Sequence, residues 1–405
     1  MKIAMATGGH IPSFRAHSIA VMKMAEGFYK LGHEVEVLTV ERFMEDRLRR
    51  EIGSLYKFYG ISDSIEITFF KDYLFYFEDL FPISYLYRLL DKITNRRIRM
   101  MMDPEKMMSD YCRYNGFDLC YYRGYGRTAY YNIVKNKVPT IMESHIRNIV
   151  NPDLKRVIKV SRSEYFKGLV TISEVLKHTF VKAGVPEEKI LVLDSGVDLD
   201  FFKNLPNKMN ARKMLDLPLD KKIVVYAGSL FPEKGIKYIL LTAKQLRDAV
   251  FILVGGEAKH VRYWRRYAMM HGIENVRFVG FVSNSLIPIY LAAADALIMP
   301  YGRGPARIMD IESTSPLKLF EYMAARKPII SSNIPAIRRI VQHGVNGLLA
   351  EPGDVKQLTE YVRKVLEDEE FARRLGEKAY EKVRAYDWRE RCRKILERFW
   401  EATKA

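Results

Sequence analysis

The sequence predicts an α/β protein built as two doubly wound parallel-sheet domains that face an inter-domain cleft. Three observations carry this reading. The chain has 405 residues, too many for one ordinary core and suited to two domains of about 200 residues each. Short apolar runs alternate with helical stretches almost throughout, as in parallel sheets covered by helices on both faces. The alternation comes in two series, joined by a stretch with Pro206, Asn207, Asn210 and Pro218.

In the first series, residues 2–7 read as a short apolar strand and 18–31 as a helix closed by Gly32. Residues 34–40 alternate as a second strand. Further strands are expected at 65–70, 119–122, 140–143, 168–171 and 190–193. The join is expected at 202–219 and the domain boundary near 203. The second series places strands at 223–227, 250–254, 276–279, 296–299, 329–331 and 347–350. A second domain is therefore expected over 204–384. A last helix, 385–405, is expected to cross back to the first domain. Ligands of open parallel sheets bind at the carboxyl ends of strands, so the site is expected in the cleft.

Composition narrows the function. The formal net charge is +17, so acidic partners are favoured: nucleic acid, anionic lipid or a nucleotide-linked substrate. No recognisable nucleic-acid module accompanies the charge, and no nucleic-acid partner is expected. Cys112, Cys120 and Cys392 form neither a disulfide framework nor a metal-ligand spacing. A reducing, cytoplasmic setting follows, with no signal peptide and no spanning helix expected. Residues 68–108 stand apart. Phe69, Phe70, Tyr73, Phe75, Tyr76 and Phe77 are followed by Arg96, Arg97 and Arg99. Basic residues interleaved with aromatics suit an anionic membrane surface at the inner face of the cell membrane. The competing reading is a helical insertion packed on the first domain.

Residues 313–332 are the most informative stretch. Ser313, Thr314 and Ser315 precede Pro316, which stands at the first turn of an amphipathic helix. Unpaired N–H groups and the positive end of the helix dipole make such a start an anion site. Glu321 follows about one and a half turns later, within reach of whatever extends beyond a bound phosphate. An ordinary capped core helix is the bland alternative.

Other segments support the sharper reading. Ser13 to Glu26, Gly32-His33-Glu34-Val35, Gly184-Val185-Pro186 and Ser195-Gly196-Val197-Asp198 occur in the first half. Tyr226-Ala227-Gly228-Ser229, Pro232-Glu233-Lys234-Gly235, Phe320-Glu321-Tyr322-Met323-Ala324 and Gly344-Val345-Asn346-Gly347 follow in the second. With these motifs in this order, the chain resembles the retaining, nucleotide-sugar-dependent glycosyltransferases of the GT-B fold, specifically the group called family 4. The likeness covers nearly all of the chain except 41–115. It implies two Rossmann-like domains and transfer of a sugar from a UDP- or GDP-linked donor to an acceptor hydroxyl. A lipid-linked or glycan acceptor is implied, as in glycolipid, lipid-linked glycan or surface polysaccharide synthesis.

The resemblance also assigns residues. His145 is implied as the active-site histidine near the donor sugar, Lys234 as a diphosphate cation, and Glu321 as the carboxylate on the ribose hydroxyls. Gly8 and Gly9, taken to end the first strand, let the backbone approach the donor closely. Ser315, Pro316 and the amides of Leu317 and Lys318 complete the diphosphate site. Gly280, Phe281 and Val282 are implied for the nucleobase, and Glu143 is a further candidate. Two departures stand out. The family's E-x7-E pattern should begin at 313, where this chain has Ser313, with Glu312 one residue early. An arginine is expected where Ser229 stands, and Arg303 or Arg307 is a candidate replacement. No Asp-x-Asp motif or histidine cluster occurs at a plausible site, so neither metal nor cofactor is expected. The alternatives are a catalytically silent scaffold subunit and another GT-B enzyme such as a sugar-nucleotide epimerase.

Overall fold

The computed structural model describes residues 1–13, 15–41, 53–71, 103–124, 126–145, 152–302 and 315–401. Most of the 68–108 segment, together with Arg303, Arg307 and Ser313, lies outside the described residues. The chain divides into two compact units, one of Met1–Asp194 with Trp388–Ala405, the other of Ser195–Asp387.

The first unit is built on a seven-stranded sheet of order β3-β2-β1-β4-β5-β6-β7. The strands are β1 (Lys2–His10), β2 (Glu34–Glu41), β3 (Glu66–Lys71), β4 (Leu119–Arg123), β5 (Thr140–Glu143), β6 (Phe166–Thr171) and β7 (Ile190–Val192). All neighbours pair in parallel. The chain steps outward from β1 to β3, then returns to the far side of β1 as β4. That reversal opens a crevice at the carboxyl ends of β1 and β4, where open sheets take ligands. Helix α1 (Ala16–Tyr29) follows β1, and α2 (Pro104–Tyr114) precedes β4.

Three details differ from the sequence reading. β1 runs through Gly8 and Gly9 to His10, with a register shift after Thr7, so the glycines form an irregularity within the strand. Helix α1 stops at Tyr29, and Gly32 adopts φ +83° beyond the cap residue Lys30. The expected linker is folded: Asn207 caps the helix Lys208–Met214 by accepting the Asn210 N–H. Leu199, Phe202 and Leu205 pack against the second unit's core, which moves the division to 194/195.

The second unit has six parallel strands in the order β10-β9-β8-β11-β12-β13. They are β8 (Lys222–Ala227), β9 (Ala249–Val254), β10 (Val276–Gly280), β11 (Ala296–Met299), β12 (Ile329–Ser332) and β13 (Leu348–Ala350). The same reversal occurs between β8 and β11. Strand β8 shows why both faces are covered. Ile223, Val225 and Ala227 enter one core cluster while Val224 and Tyr226 enter another, the period-two alternation of a strand buried on both sides. Helix α3 (Leu317–Ala324) follows β11 and buries Leu319, Phe320, Tyr322 and Met323. Helix α4 (Trp388–Phe399) belongs to the first unit, where Cys392 lies against Met24 of α1.

Candidate functional site

In the first unit, the carboxyl ends of β1, β4 and β5 converge on Glu143, which is buried and polar on every side. Its Oε1 lies 2.6 Å from His145 Nε2 and 3.4 Å from Arg123 Nε. Its Oε2 accepts from Arg391 Nη1 at 3.0 Å and from the Tyr121 hydroxyl. Burial alone would raise this carboxyl's pKa. Arg391 and Arg123 outweigh that and hold it well below the usual carboxylate range. Glu143 is therefore ionised, and His145 must donate to it from Nε2–H. The other ring nitrogen, Nδ1, faces Arg123 Nη2 at 3.3 Å. Burial and the Arg123 charge push the His145 pKa down to about 4. A ring with one nitrogen spent on Glu143 and the other facing a guanidinium is a poor proton acceptor.

His17 extends the array. Thr7 Oγ1 donates to the Arg123 carbonyl at 2.9 Å and accepts the Gly9 N–H at 2.9 Å. Its single proton is spent, so His17 Nε2, at 2.7 Å, donates to it. Burial, with Arg123 and His145 nearby, pushes the His17 pKa down to about 3. Gly9 fits this packing because it lacks a side chain: a Cβ there would lie 2.5 Å from His17 Nε2. Beside Gly8, the Glu105 carboxylate accepts from the Tyr122 hydroxyl at 2.7 Å and the Thr128 N–H at 3.1 Å, and burial raises its pKa.

In the second unit, the carboxyl end of β8 meets the start of α3. Tyr322 Oη accepts the Ala227 N–H at 2.7 Å and fixes the helix to the strand. Pro316 is the N-cap of α3, and no side chain caps the first turn. Lys318 Nζ donates to Tyr226 Oη at 2.8 Å, and that hydroxyl donates to the Ser229 carbonyl at 2.7 Å. The ammonium lies against Gly228, where φ is +151° and a Cβ would be 2.7 Å from Nζ. Burial and the neighbouring Lys234 charge push the Lys318 pKa well below its ordinary value, and Glu321 opposes them. Two cations crowded at a strand's carboxyl end beside an uncapped helix start form a seat for a multiply charged anion.

The structure thus brings Gly9, Glu143 and His145 together in one unit, and Lys234, Lys318 and Glu321 in the other. Ser315 is buried, and its hydroxyl accepts the Ser195 N–H at 2.9 Å, so it holds the loop. Gly280 ends β10 with its carbonyl accepting the Gly255 N–H at 2.7 Å. Phe281 is exposed and Val282 packs on the core. Sequence reasoning missed His17, Arg123, Arg391 and Glu105, and valued Lys318 for its amide rather than its ammonium. Arg391 left no local signal because it meets Glu143 from 248 residues away. Among the described residues, no group of three or more His, Cys, Asp or Glu could hold a metal, and no helix is long and apolar enough to cross a membrane.

Comparison with known proteins bears on this geometry. Residues 207–382 match the family model of the glycosyl transferases group 1. An uncharacterized glycosyltransferase of Methanocaldococcus jannaschii is 25% identical over 228 residues, 54% of this chain and 56% of that protein. The D-inositol 3-phosphate glycosyltransferase of a Nocardioides species is 25% identical over 228 residues, 52% of this chain and 48% of that protein. The chain spans about half the length of the curated relatives it matches. Among solved structures, Anabaena HepE in complex with UDP and glucose superposes with a TM-score of 0.68 at 18% identity, covering 98% of each chain. Residues 207–382 therefore carry a glycosyl transferases group 1 domain, in a chain whose two parallel-sheet, Rossmann-like domains share the fold of GT-B glycosyltransferases.

Proposed function

We propose that the protein is a retaining, family 4 type glycosyltransferase that moves a sugar from a UDP-linked donor to an acceptor hydroxyl on a glycolipid, lipid-linked glycan or surface polysaccharide. The observation that carries this is the Lys318 ammonium, buried against Gly228 and facing the Lys234 charge. A nucleoside diphosphate relieves that repulsion. The charge grows on the same oxygens as the sugar leaves, so a preorganised pair of lysines acts most strongly in the transition state. In this reading Lys318 supplies the cation that Ser229 lacks, and neither Arg303 nor Arg307 is needed. The N–H groups at the start of α3 add to the field, and no divalent metal is required.

Glu321, on the Lys318 side of α3, accepts from the ribose hydroxyls, and Gly280, Phe281 and Val282 border the base. Gly8 and Gly9 admit the donor sugar to the first unit. His145 orients it without removing a proton, since its lone pair faces Arg123. The acceptor proton passes to the leaving phosphate, on the same face of the anomeric carbon. Glu143 stays ionised and holds His145. A thermal-shift series with UDP, GDP, ADP and TDP, each with and without EDTA, tests the proposal. UDP should raise the midpoint most, with EDTA making no difference. Absence of a shift with every nucleotide at millimolar concentration would support the silent-scaffold alternative. Retention is read from the anomeric proton couplings of the product.

A further inference from the structure

The helix Ala258–Met270 lies on the second unit, away from the Lys318 array in sequence and preceding the strand β10. It contains Lys259, Arg262, Arg265 and Arg266 and no acidic residue, and Arg277 follows on β10. Trp264 and Ala268 are buried and anchor its inner face. The opposite face is unusual. Tyr263 is 58% exposed, Met269 77% and Met270 69%. At about 100° per residue, these three share one arc of roughly 120° with Lys259, Arg262 and Arg266. Tyr263 packs its ring edge-on against Trp264 at 4.9 Å, while Met269 and Met270 stand largely in water among the cations. At a bilayer surface both kinds are satisfied, the apolar groups below the headgroups and the cations at the phosphate level.

A cavity of about 530 Å³ continues this face. Its lining combines the apolar Ala268, Met269, Ile273, Val276 and Phe278 with Arg265 and Arg277. Arg277 is steadied by donating to the Asp216 carbonyl at 2.8 Å. An apolar lining that includes two arginines suits a phospholipid, whose phosphate the arginines can take and whose first chain carbons the apolar groups can take.

We propose that this face of the second unit, the helix Ala258–Met270 with the Arg265–Arg277 cavity, docks on an anionic bilayer surface. The contact uses other residues than the aromatic segment at 68–108 and does not depend on the transferase reading. The chain's charge of +17 favours the same partner.

Co-sedimentation of the full chain with phosphatidylglycerol vesicles, against phosphatidylcholine vesicles, tests it at two salt concentrations. Wild type should bind the anionic vesicles and release as salt rises. The triple variant R262E/R265E/R266E should bind at least about 100-fold more weakly, each arginine contributing roughly 1 kcal/mol at such a surface. M269S/M270S keeps every charge and should bind several-fold more weakly, which a purely electrostatic contact would not show. UDP-induced stabilisation should be the same in all three proteins, since none of these residues belongs to the nucleotide site. Equal vesicle binding by wild type and both variants overturns the proposal. So does absence of vesicle binding, or a duplex DNA affinity that falls in the triple variant while vesicle binding does not.

Discussion

Two buried carboxylates, each set between two cations, show how one device serves two ends. Asp295 stands just before β11, at the amino end of the second sheet. It takes Arg212 Nη2 at 2.6 Å, Lys208 Nζ at 2.8 Å and the Ile223 N–H at 2.7 Å. Arg212 spends its other groups on the carbonyls of Ala293, Leu219 and Lys221. Every group has a partner, as in a structural ion pair. Glu143 closes β5, at the carboxyl end of the first sheet. Around it, buried Arg123 Nε and Arg391 Nη2 make no hydrogen bond. Both clusters carry two cations for one carboxylate, but here N–H donors are left over, at the end where a parallel sheet binds its ligands. The lesson is that saturation, rather than the presence of an ion pair, separates a strut from a site.

The comparison breaks if the two respond alike to mutation. Asp295→Ala strands two cations and a backbone N–H, so it should cost about 3–5 kcal/mol of stability in denaturant unfolding. Donor turnover per folded molecule should not change. Arg391→Met keeps most of the volume but frees one side of Glu143. It should cost about 1–3 kcal/mol in the same unfolding assay and lower turnover about 10- to 100-fold by loosening His145. Because Arg391 helps to lower the His145 pKa, that ring should titrate closer to its ordinary value in the variant, as read by NMR. A merely structural arginine would not move the titration.

Acid should sharpen the contrast. His17 and His145 have folded pKa values of about 3 and about 4, against an unfolded value near 6.5. Between these limits the unfolded chain binds more protons, so stability rises with pH and is fully present above about pH 6.5. Each ring accounts for up to about 1.4 kcal/mol per pH unit across that window. Urea unfolding at pH 7.5 and pH 5 should show the slope, and His17→Asn should remove about half of it.

Much of this was legible in the sequence, for identifiable reasons. Residues of β5 and β11 were placed to the residue because short apolar runs bounded by polar ones admit one register. The boundary near 203 was not, because the motif that starts at Ser195 reads as the end of the first domain until the core that Leu199, Phe202 and Leu205 enter is known. Lys234, Glu321 and His145 stood inside local motifs. Arg391 and Arg123 could not be found that way, since each matters through Glu143 and the histidines, which the fold brings to them. Lys318 was visible, but its ammonium mattered only once Gly228 and Tyr226 were seen beside it.

The most direct test of the central claim is calorimetric titration of UDP, in EDTA, into the wild-type protein and Lys318→Met. The account predicts metal-independent binding that weakens about a hundredfold in the variant, about 2.7 kcal/mol, with unfolding stability unchanged or improved. Equal affinity for UDP in the two proteins would contradict it, and would place the nucleotide away from Gly228.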